Sequence, residues 1–333
     1  MSADLVESTI TPGVASIGFV GLGNVGGKLA GSVVRNGFDL VVHDLDGTLV
    51  DGFVAAGAGA AGTPRNLAGR CDVVITCLPS PAASSAVVEG PDGLLAGWGE
   101  GKIWLEMSTT DETEITRLGE LVVAAGGEPV DCPVSGGCHR AATGNISIFA
   151  GCERSTFERV LPLLSVLGRR VLHTGPLGTA SVLKVATNYL ATANLITLAE
   201  ALTTMAAAGV DLGTTYEAFR ISSGNSFVHE TESQVILNGS RDISFTMDLV
   251  LKDIGLFQSI ADRVGVPLEM NPVMIDIFRD AAKRYGLREW SPNVIRRLED
   301  ATGVSVRASG FPSVLVDDEA EAAGAEVIVR TDS

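Results

Sequence analysis

Short apolar runs alternate with longer amphipathic segments through the first half of the chain. The segments between the runs carry apolar positions at three- and four-residue spacing and mostly end at glycine, as helices do. The strand candidates are SIGFV, LVVHD, DVVITCLP, KIWLEM, EPVDCPV, ISIFAG and RRVLHTG. Strands that alternate with helices are typical of βαβ units. The pattern therefore predicts an α/β domain with a doubly wound parallel sheet over residues 15–175.

After residue 178 the strand pattern stops and helical spacing takes over. The helical patterns cover residues 179–208, 216–222, 247–264 and 272–285. They predict an all-helical domain over residues 176–308, which we expect to serve substrate binding and oligomerisation. The remaining residues, 309–333, hold the acidic run DDEAEAAGAE, and we expect them to form an acidic tail of uncertain order.

The composition narrows the possible function classes. The chain has 333 residues, 46% of them hydrophobic, which is enough to fill two cores. Its 40 Asp and Glu against 24 Lys and Arg give a formal net charge of -16, which argues against binding to nucleic acid or to an anionic membrane. We find no apolar run as long as a membrane span and no signal peptide at the N-terminus, so we expect a cytoplasmic protein.

The cysteines and histidines do not suggest a disulfide framework or a metal site. The five cysteines include no C-x-x-C pair, and we expect them to be reduced. No two of the four histidines have the i, i+4 spacing that would place a metal site on a helix face. The sequence therefore predicts no bound metal.

The turn after the first strand has the spacing of a phosphate-binding loop. Gly21, Gly23 and Gly26 form G-x-G-x-x-G between a strand and a helix. The first glycine permits a tight turn, the second lets the backbone approach a pyrophosphate, and the third lets the helix pack closely on the strand. The alternative interpretation is a plain tight turn. We predict a Rossmann-type dinucleotide site.

An acidic residue follows at the distance expected for a ribose contact. Asp44 ends the second strand, where its carboxylate can accept hydrogen bonds from the adenosine ribose hydroxyls. Its charge would repel a 2′-phosphate, and this favours NAD over NADP as the cofactor.

A second loop has the composition of a small anion site. Ser135, Gly136 and Gly137 follow a strand and offer backbone N–H groups and a hydroxyl, which suit a carboxylate, although an ordinary loop is the alternative. Arg140 lies three residues further on. It would supply a positive charge for a second acidic group of a substrate, or it is a solvated loop arginine.

One lysine stands in an apolar helical pattern with no acidic residue nearby. It is Lys184 of GPLGTASVLKVATNYL. A lysine in such a helix either extends its stem over apolar surface to reach water or has a chemical role. Since burial disfavours the charged form of an amine, a buried lysine is suited to exchanging a proton with a substrate.

These motifs together resemble the β-hydroxyacid dehydrogenase family, which includes 3-hydroxyisobutyrate dehydrogenases and tartronate semialdehyde reductases. The similarity spans residue 17 to about residue 300 and rests on GLGNVG, CLP, MSTT, DCPVSGG, GxxGxxxxxK with an asparagine four residues on, and FTMDLVLKDIGL. It implies that Lys184 is the catalytic residue, that Asn188 helps to hold the substrate, and that the SGG turn binds the substrate carboxylate. It also implies a cofactor site lined by Leu22, Asn24 and Val25 beside the loop glycines, and by Leu78, Pro79, Thr109 and Lys252.

The residues and the resemblance lead to one expected function and two alternatives. We expect an oxidoreductase that transfers hydride between NAD and the hydroxyl carbon of a small 3-hydroxy acid, with Lys184 as general acid and base. One alternative is an NADH-dependent reductase of a semialdehyde acid such as tartronate semialdehyde. The other is a dinucleotide-binding protein without turnover. The long apolar helices suggest a homo-oligomer, either a dimer or a tetramer.

Overall fold

The computed structural model describes residues 9–329, and they form two compact units. The first unit runs from the start of the described chain to Lys184 and resumes at Asp317. The second unit is Val185–Val316. The chain therefore leaves the first unit and returns to it. The domain boundaries drawn from the sequence, near residues 175 and 308, stay predictions.

The first unit contains all ten strands of the described chain, a 3-10 turn (Leu94–Gly97) and eight α-helices, the last of which continues into the second unit. The strands are β1 (Ser16–Val20), β2 (Asp39–His43), β3 (Gly59–Ala60), β4 (Val73–Thr76), β5 (Ile103–Glu106), β6 (Glu128–Asp131), β7 (Val134–Ser135), β8 (Ser147–Gly151), β9 (Arg170–Gly175) and β10 (Ala325–Glu326). The helices are α1 (Gly26–Arg35), α2 (Gly47–Ala55), α3 (Pro64–Ala68), α4 (Pro81–Glu89), α5 (Glu112–Ala124), α6 (Gly137–Thr143), α7 (Arg154–Leu167) and α8 (Thr179–Ala207).

One sheet carries the first unit, in the order β10-β9-β8-β6-β5-β4-β1-β2-β3, with β7 paired to β8. Six adjacent strands in this order, β6-β5-β4-β1-β2-β3, are parallel to one another. This part confirms the predicted doubly wound sheet. Beyond it, β8 runs antiparallel to β6, and β9 and β10 are parallel to β8. The direction changes because the chain turns back through β7 and α6 after β6, without a helix that crosses to a new parallel strand.

The parallel strands are buried on both faces, as expected for a sheet covered by helices. All four residues of β4 and of β5 are buried. Ile17 and Phe19 of β1 belong to one hydrophobic cluster, and Val20 of the same strand belongs to another. The apolar runs in the sequence therefore correspond to these strands. The loops at their carboxyl ends hold the predicted cofactor residues except Lys252, which lies in the second unit.

All regular elements in the described residues of the second unit are helices, as predicted. After the remainder of α8 come α9 (Leu212–Arg220), α10 (Phe227–Asn238), α11 (Met247–Val264), α12 (Met270–Tyr285), a 3-10 turn (Ser291–Ile295) and α13 (Arg296–Thr302). The sequence did not predict α10, whose start is marked by Ser226, a side chain that accepts a hydrogen bond from the His229 N–H.

Helix α8 meets the length and composition criteria for a membrane-spanning helix. It has 29 residues, and its most apolar 18-residue window has a mean hydropathy of 1.3. The expectation that no apolar run reaches this length is therefore wrong. Leu195, Leu198 and Leu202 of α8 belong to the hydrophobic core of the second unit, and 33% of the apolar window is buried.

Candidate active site

The three glycines of the first loop differ in the space around them. Gly21 has φ +95°, and a β carbon built on it would lie 2.3 Å from the Cys77 carbonyl oxygen. A β carbon on Gly26 would lie 2.0 Å from the Gly21 carbonyl oxygen. Around Gly23, by contrast, no atom of the described residues other than Gly23 and its two chain neighbours lies within 4 Å of that position. Gly21 and Gly26 are thus required by packing within the protein, whereas Gly23 leaves open space of the kind a pyrophosphate needs.

Helix α1 offers its positive end to this space. Its N-cap residue is Val25, whose side chain makes no capping hydrogen bond. The first N–H groups of a helix and its dipole favour an anion. The loop Gly21–Gly26, with Leu22, Asn24 and Val25, therefore fits the phosphates of a dinucleotide, as the sequence predicts.

Asp44 is fixed to the same loop. One carboxylate oxygen accepts the Leu22 N–H at 2.6 Å, and the other accepts the Asp46 N–H at 2.8 Å. These bonds hold the carboxylate at the end of β2, next to the glycine loop. Each carboxylate oxygen retains a second lone pair that can accept from a ribose hydroxyl.

A buried acid joins the two loops that carry the other predicted cofactor residues of the first unit. The Leu78 N–H donates to Ser108 Oγ at 2.7 Å, and the Ser108 N–H donates to Glu106 Oε1 at 2.9 Å. Burial raises the pKa of Glu106 above its usual range, and hydrogen bonds from Ser108 oppose the shift. This chain of bonds fixes the backbone before Pro79 and Thr109. Glu106 was missed from the sequence because it reads as one residue of an apolar strand.

The SGG turn has the backbone geometry that only glycine adopts readily. Gly136 has φ +133° and Gly137 has φ +86°, between the end of β7 at Ser135 and the start of α6. A β carbon on Gly136 would lie 3.4 Å from Arg140 Cδ, so the stem of Arg140 lies against the turn. The structure therefore brings Arg140 and the SGG turn together.

Lys184 is buried, with 7% of its surface exposed. The first turn of α8, which leads to it, is fixed by Asp131 at the end of β6. Asp131 accepts from the Ser181 N–H at 2.7 Å and from Ser181 Oγ at 2.8 Å. Burial raises the pKa of Asp131 to about 7, against the effect of these hydrogen bonds. Asp131 and Ser181 hold the start of the lysine helix against the sheet, and neither was predicted as a site residue.

In the second unit, the structure brings Asn188 and Lys252 to the same carboxylate. Asn188 Nδ2 donates to Asp253 Oδ2 at 2.5 Å, and Lys252 Nζ lies 2.8 Å from Asp253 Oδ1. Asp253 is buried. The signal that could have found Asp253 is an acid next to Lys252 in an apolar helix, since such an acid needs a partner.

Comparisons with known proteins agree with this arrangement. The chain is 33% identical to 2-(hydroxymethyl)glutarate dehydrogenase from Eubacterium barkeri over 292 residues, 87% of this chain and 97% of that protein. It is 34% identical to NAD-dependent L-serine dehydrogenase from Pseudomonas aeruginosa, over 86% of this chain and 98% of that protein. The chain belongs to the β-hydroxyacid dehydrogenase family. The resemblance seen in the sequence is thereby confirmed.

Two models of protein families match residues in both units of the chain, and a solved structure of a family member has a similar fold. Residues 16–175 match the NAD binding domain of 6-phosphogluconate dehydrogenase. Residues 178–298 match the NAD-binding domain of NADP-dependent 3-hydroxyisobutyrate dehydrogenase. The structure of 3-hydroxyisobutyrate dehydrogenase from Salmonella typhimurium has a TM-score of 0.77 at 27% identity, and covers 85% of this chain and 99% of that one. The protein is therefore an oxidoreductase that uses a nicotinamide dinucleotide.

Proposed function

We propose that this chain is an NAD-dependent dehydrogenase of a small 3-hydroxy acid, with Lys184 as its general acid and base. The observation that carries the proposal is a buried lysine in the same compact unit as a dinucleotide loop and a glycine turn suited to a carboxylate. A lysine that only covered apolar surface would extend its ammonium group to water.

Each proposed residue has a separate task. The bound nicotinamide would take a hydride from the hydroxyl carbon in oxidation and return it in reduction. Lys184 accepts the hydroxyl proton in oxidation, and in reduction its ammonium form donates that proton to the forming alkoxide. Asn188 lies one helical turn further along α8 and stays a proposed substrate residue, and its Nδ2 also donates to Asp253. The backbone N–H groups of the SGG turn, with Ser135 Oγ, hold the carboxylate.

Turnover with a panel of substrates tests this proposal. Initial rates are measured with NAD and 3-hydroxy acids that differ in chain length and in the number of carboxylates, and with NADH and the matching semialdehydes. We expect NAD-dependent oxidation of at least one 3-hydroxy acid. Binding of NADH without turnover in either direction would favour a dinucleotide-binding protein that lacks catalysis and would overturn the proposal.

Asp44 is expected to set the preference for NAD over NADP. In the Asp44→Asn variant the amide keeps a polar group near Leu22 and removes the charge that repels a 2′-phosphate. The ratio of kcat/KM for NAD to that for NADP should fall by about tenfold, the effect of about 1.4 kcal/mol. Asp46→Asn, two residues on and exposed, is the control for loss of a nearby charge. A parent enzyme that prefers NADP would contradict this role of Asp44.

Arg140 is expected to favour a substrate with a second acidic group. Its stem lies against the SGG turn, and the relative from Eubacterium barkeri is named for a glutarate, which has two carboxylates. In Arg140→Gln, the rate ratio of diacid to monoacid should fall by about tenfold, because an ion-paired hydrogen bond is worth about 1.5–3 kcal/mol. The monoacid serves as the internal control. Equal ratios in parent and variant would show that Arg140 does not contact the second acidic group.

A further inference from the structure

The described part of the C-terminal segment, 317–329, packs on the first unit as an ordered element. Strand β10 pairs in parallel with β9, with Ala325 opposite Arg170. The Gly324 N–H donates to the Ser165 carbonyl at 2.7 Å, and a β carbon on Gly324 would lie 1.9 Å from the Gly168 carbonyl oxygen. The segment lies outside both ranges matched by the family models, the second of which ends at residue 298.

Several acidic side chains of the segment have individual basic partners. Glu326 accepts two hydrogen bonds from the guanidinium of Arg154, at 2.6 and 3.0 Å. Such forked pairs have a defined geometry. Glu319 lies 3.7 Å from Arg169. The acidic segment, which the sequence predicts as a tail of uncertain order, therefore carries side chains placed for specific contacts with the rest of the first unit.

The first residue of the segment binds the end of the helix that follows the SGG turn. Asp317 Oδ2 accepts hydrogen bonds from Thr143 Oγ1 and, at 2.8 Å, from Asn145 Nδ2. Asn145 is buried, and its Nδ2 also donates to the Glu319 carbonyl at 2.7 Å. Burial alone would raise the pKa of Asp317, but these hydrogen bonds and the charge of Arg140 hold it below the usual value.

A second contact reaches the same helix through Arg35. Its guanidinium donates to the Ala142 carbonyl at 2.9 Å and lies 3.5 Å from Glu321 of the segment. Helix α6 has only seven residues, Gly137–Thr143, so its two ends move together and it has little stability of its own. Contacts that hold Thr143 and Ala142 therefore also hold the glycine turn at the other end of α6, and with it Arg140.

We infer that Asp317, through its bonds to Thr143 and Asn145, is a positioning residue for the substrate carboxylate site of the SGG turn. Asp317 does not contact the substrate in this proposal, but fixes α6 from the end opposite the turn. The role of the SGG turn in binding the substrate carboxylate rests on the proposed function, whereas the effect of Asp317 on α6 does not. The C-terminal segment thus supports the substrate site of this chain through α6 without contacting the substrate.

Steady-state kinetics of Asp317→Ala test the effect on the substrate. We expect KM for the hydroxy acid to rise by about tenfold, because the turn loses a charged hydrogen-bonded support, while the Kd for NADH stays within about twofold. Asp317→Asn, which keeps a carbonyl acceptor for Thr143 or Asn145, should recover much of the parent KM. Asp318→Ala, which removes an exposed carboxylate from the next position, is the matched control.

Hydrogen exchange tests the effect on α6 without any need for turnover. Peptides that cover residues 134–144 should exchange faster in Asp317→Ala than in Asp318→Ala, whereas peptides of α1 and β1 should not change. The inference is overturned if exchange and KM in Asp317→Ala match those in Asp318→Ala. It is also overturned if KM, NADH affinity and melting temperature all worsen together, since this would indicate a general loss of stability.

Discussion

Replacing Lys184 with methionine is expected to lower kcat by roughly a hundredfold to ten-thousandfold, the range that general acid and base groups supply. Methionine keeps an unbranched stem in the buried position of Lys184 but cannot exchange a proton. The Kd for NADH, measured by fluorescence titration, should stay close to that of the parent, because the proposed cofactor residues of the glycine loop are unchanged. The loss should therefore appear in kcat and not in cofactor binding.

The stability of the variant separates a catalytic lysine from a structural one. Replacing a buried amine by a thioether removes a desolvation cost and keeps most of the packing, so the melting temperature should not fall. Leu183→Met, at the neighbouring and more exposed position of α8, controls for the new side chain. A structural lysine would give the opposite result, with a lower melting temperature and normal turnover per folded molecule. Parental kcat in Lys184→Met would exclude Lys184 from the mechanism.

Features that depend on local spacing could be predicted from the sequence. The glycine loop, Asp44 and the SGG turn each depend on residues a few positions apart, or on one strand followed by a turn. Glycine is informative there because few other residues adopt the positive φ found at Gly21, Gly136 and Gly137. The alternation of strands and helices likewise follows from periodicity, and it predicted the longer strands in their chain order but not the two-residue strands β3 and β10.

Features that depend on contacts between distant residues could not be predicted in this way. Asp131 and Ser181 are 50 positions apart, and Asp317 and Thr143 are 174 positions apart. Hydrophobic periodicity carries no information about which polar side chains meet. An acid in a buried strand, such as Glu106, gives at most a warning that a partner must exist. For the same reason the sequence left the order of the acidic C-terminal tail uncertain, since the partners of its carboxylates lie far away along the chain.

Substituting the glycines of the phosphate loop one at a time should separate cofactor binding from folding. Gly23→Ala places a methyl group where no atom of the described residues other than Gly23 and its two chain neighbours lies within 4 Å, and Gly23 does not have a positive φ. The protein should therefore fold with the parental melting temperature. The methyl group would occupy space needed by the pyrophosphate, and the loss of two hydrogen bonds to a charged group costs about 3 kcal/mol or more. NADH affinity should fall by about a hundredfold or more.

Gly26→Ala is expected to lower the stability of the protein as well as its affinity for NADH. Its methyl group would meet the Gly21 carbonyl oxygen at 2.0 Å, so the start of α1 must move away from β1. Such overpacking costs about 1–3 kcal/mol, and the melting temperature should fall together with NADH affinity.

Gly52→Ala in α2 is the control for an alanine in open space, because a β carbon on Gly52 also meets no atom within 4 Å. It should lower neither the melting temperature nor the NADH affinity. The comparison requires calorimetric titration with NADH and thermal unfolding of all three variants. If Gly23→Ala binds NADH as tightly as the parent, the open space beside Gly23 does not hold the pyrophosphate, and G-x-G-x-x-G in this chain is only a tight turn that brings α1 onto the sheet.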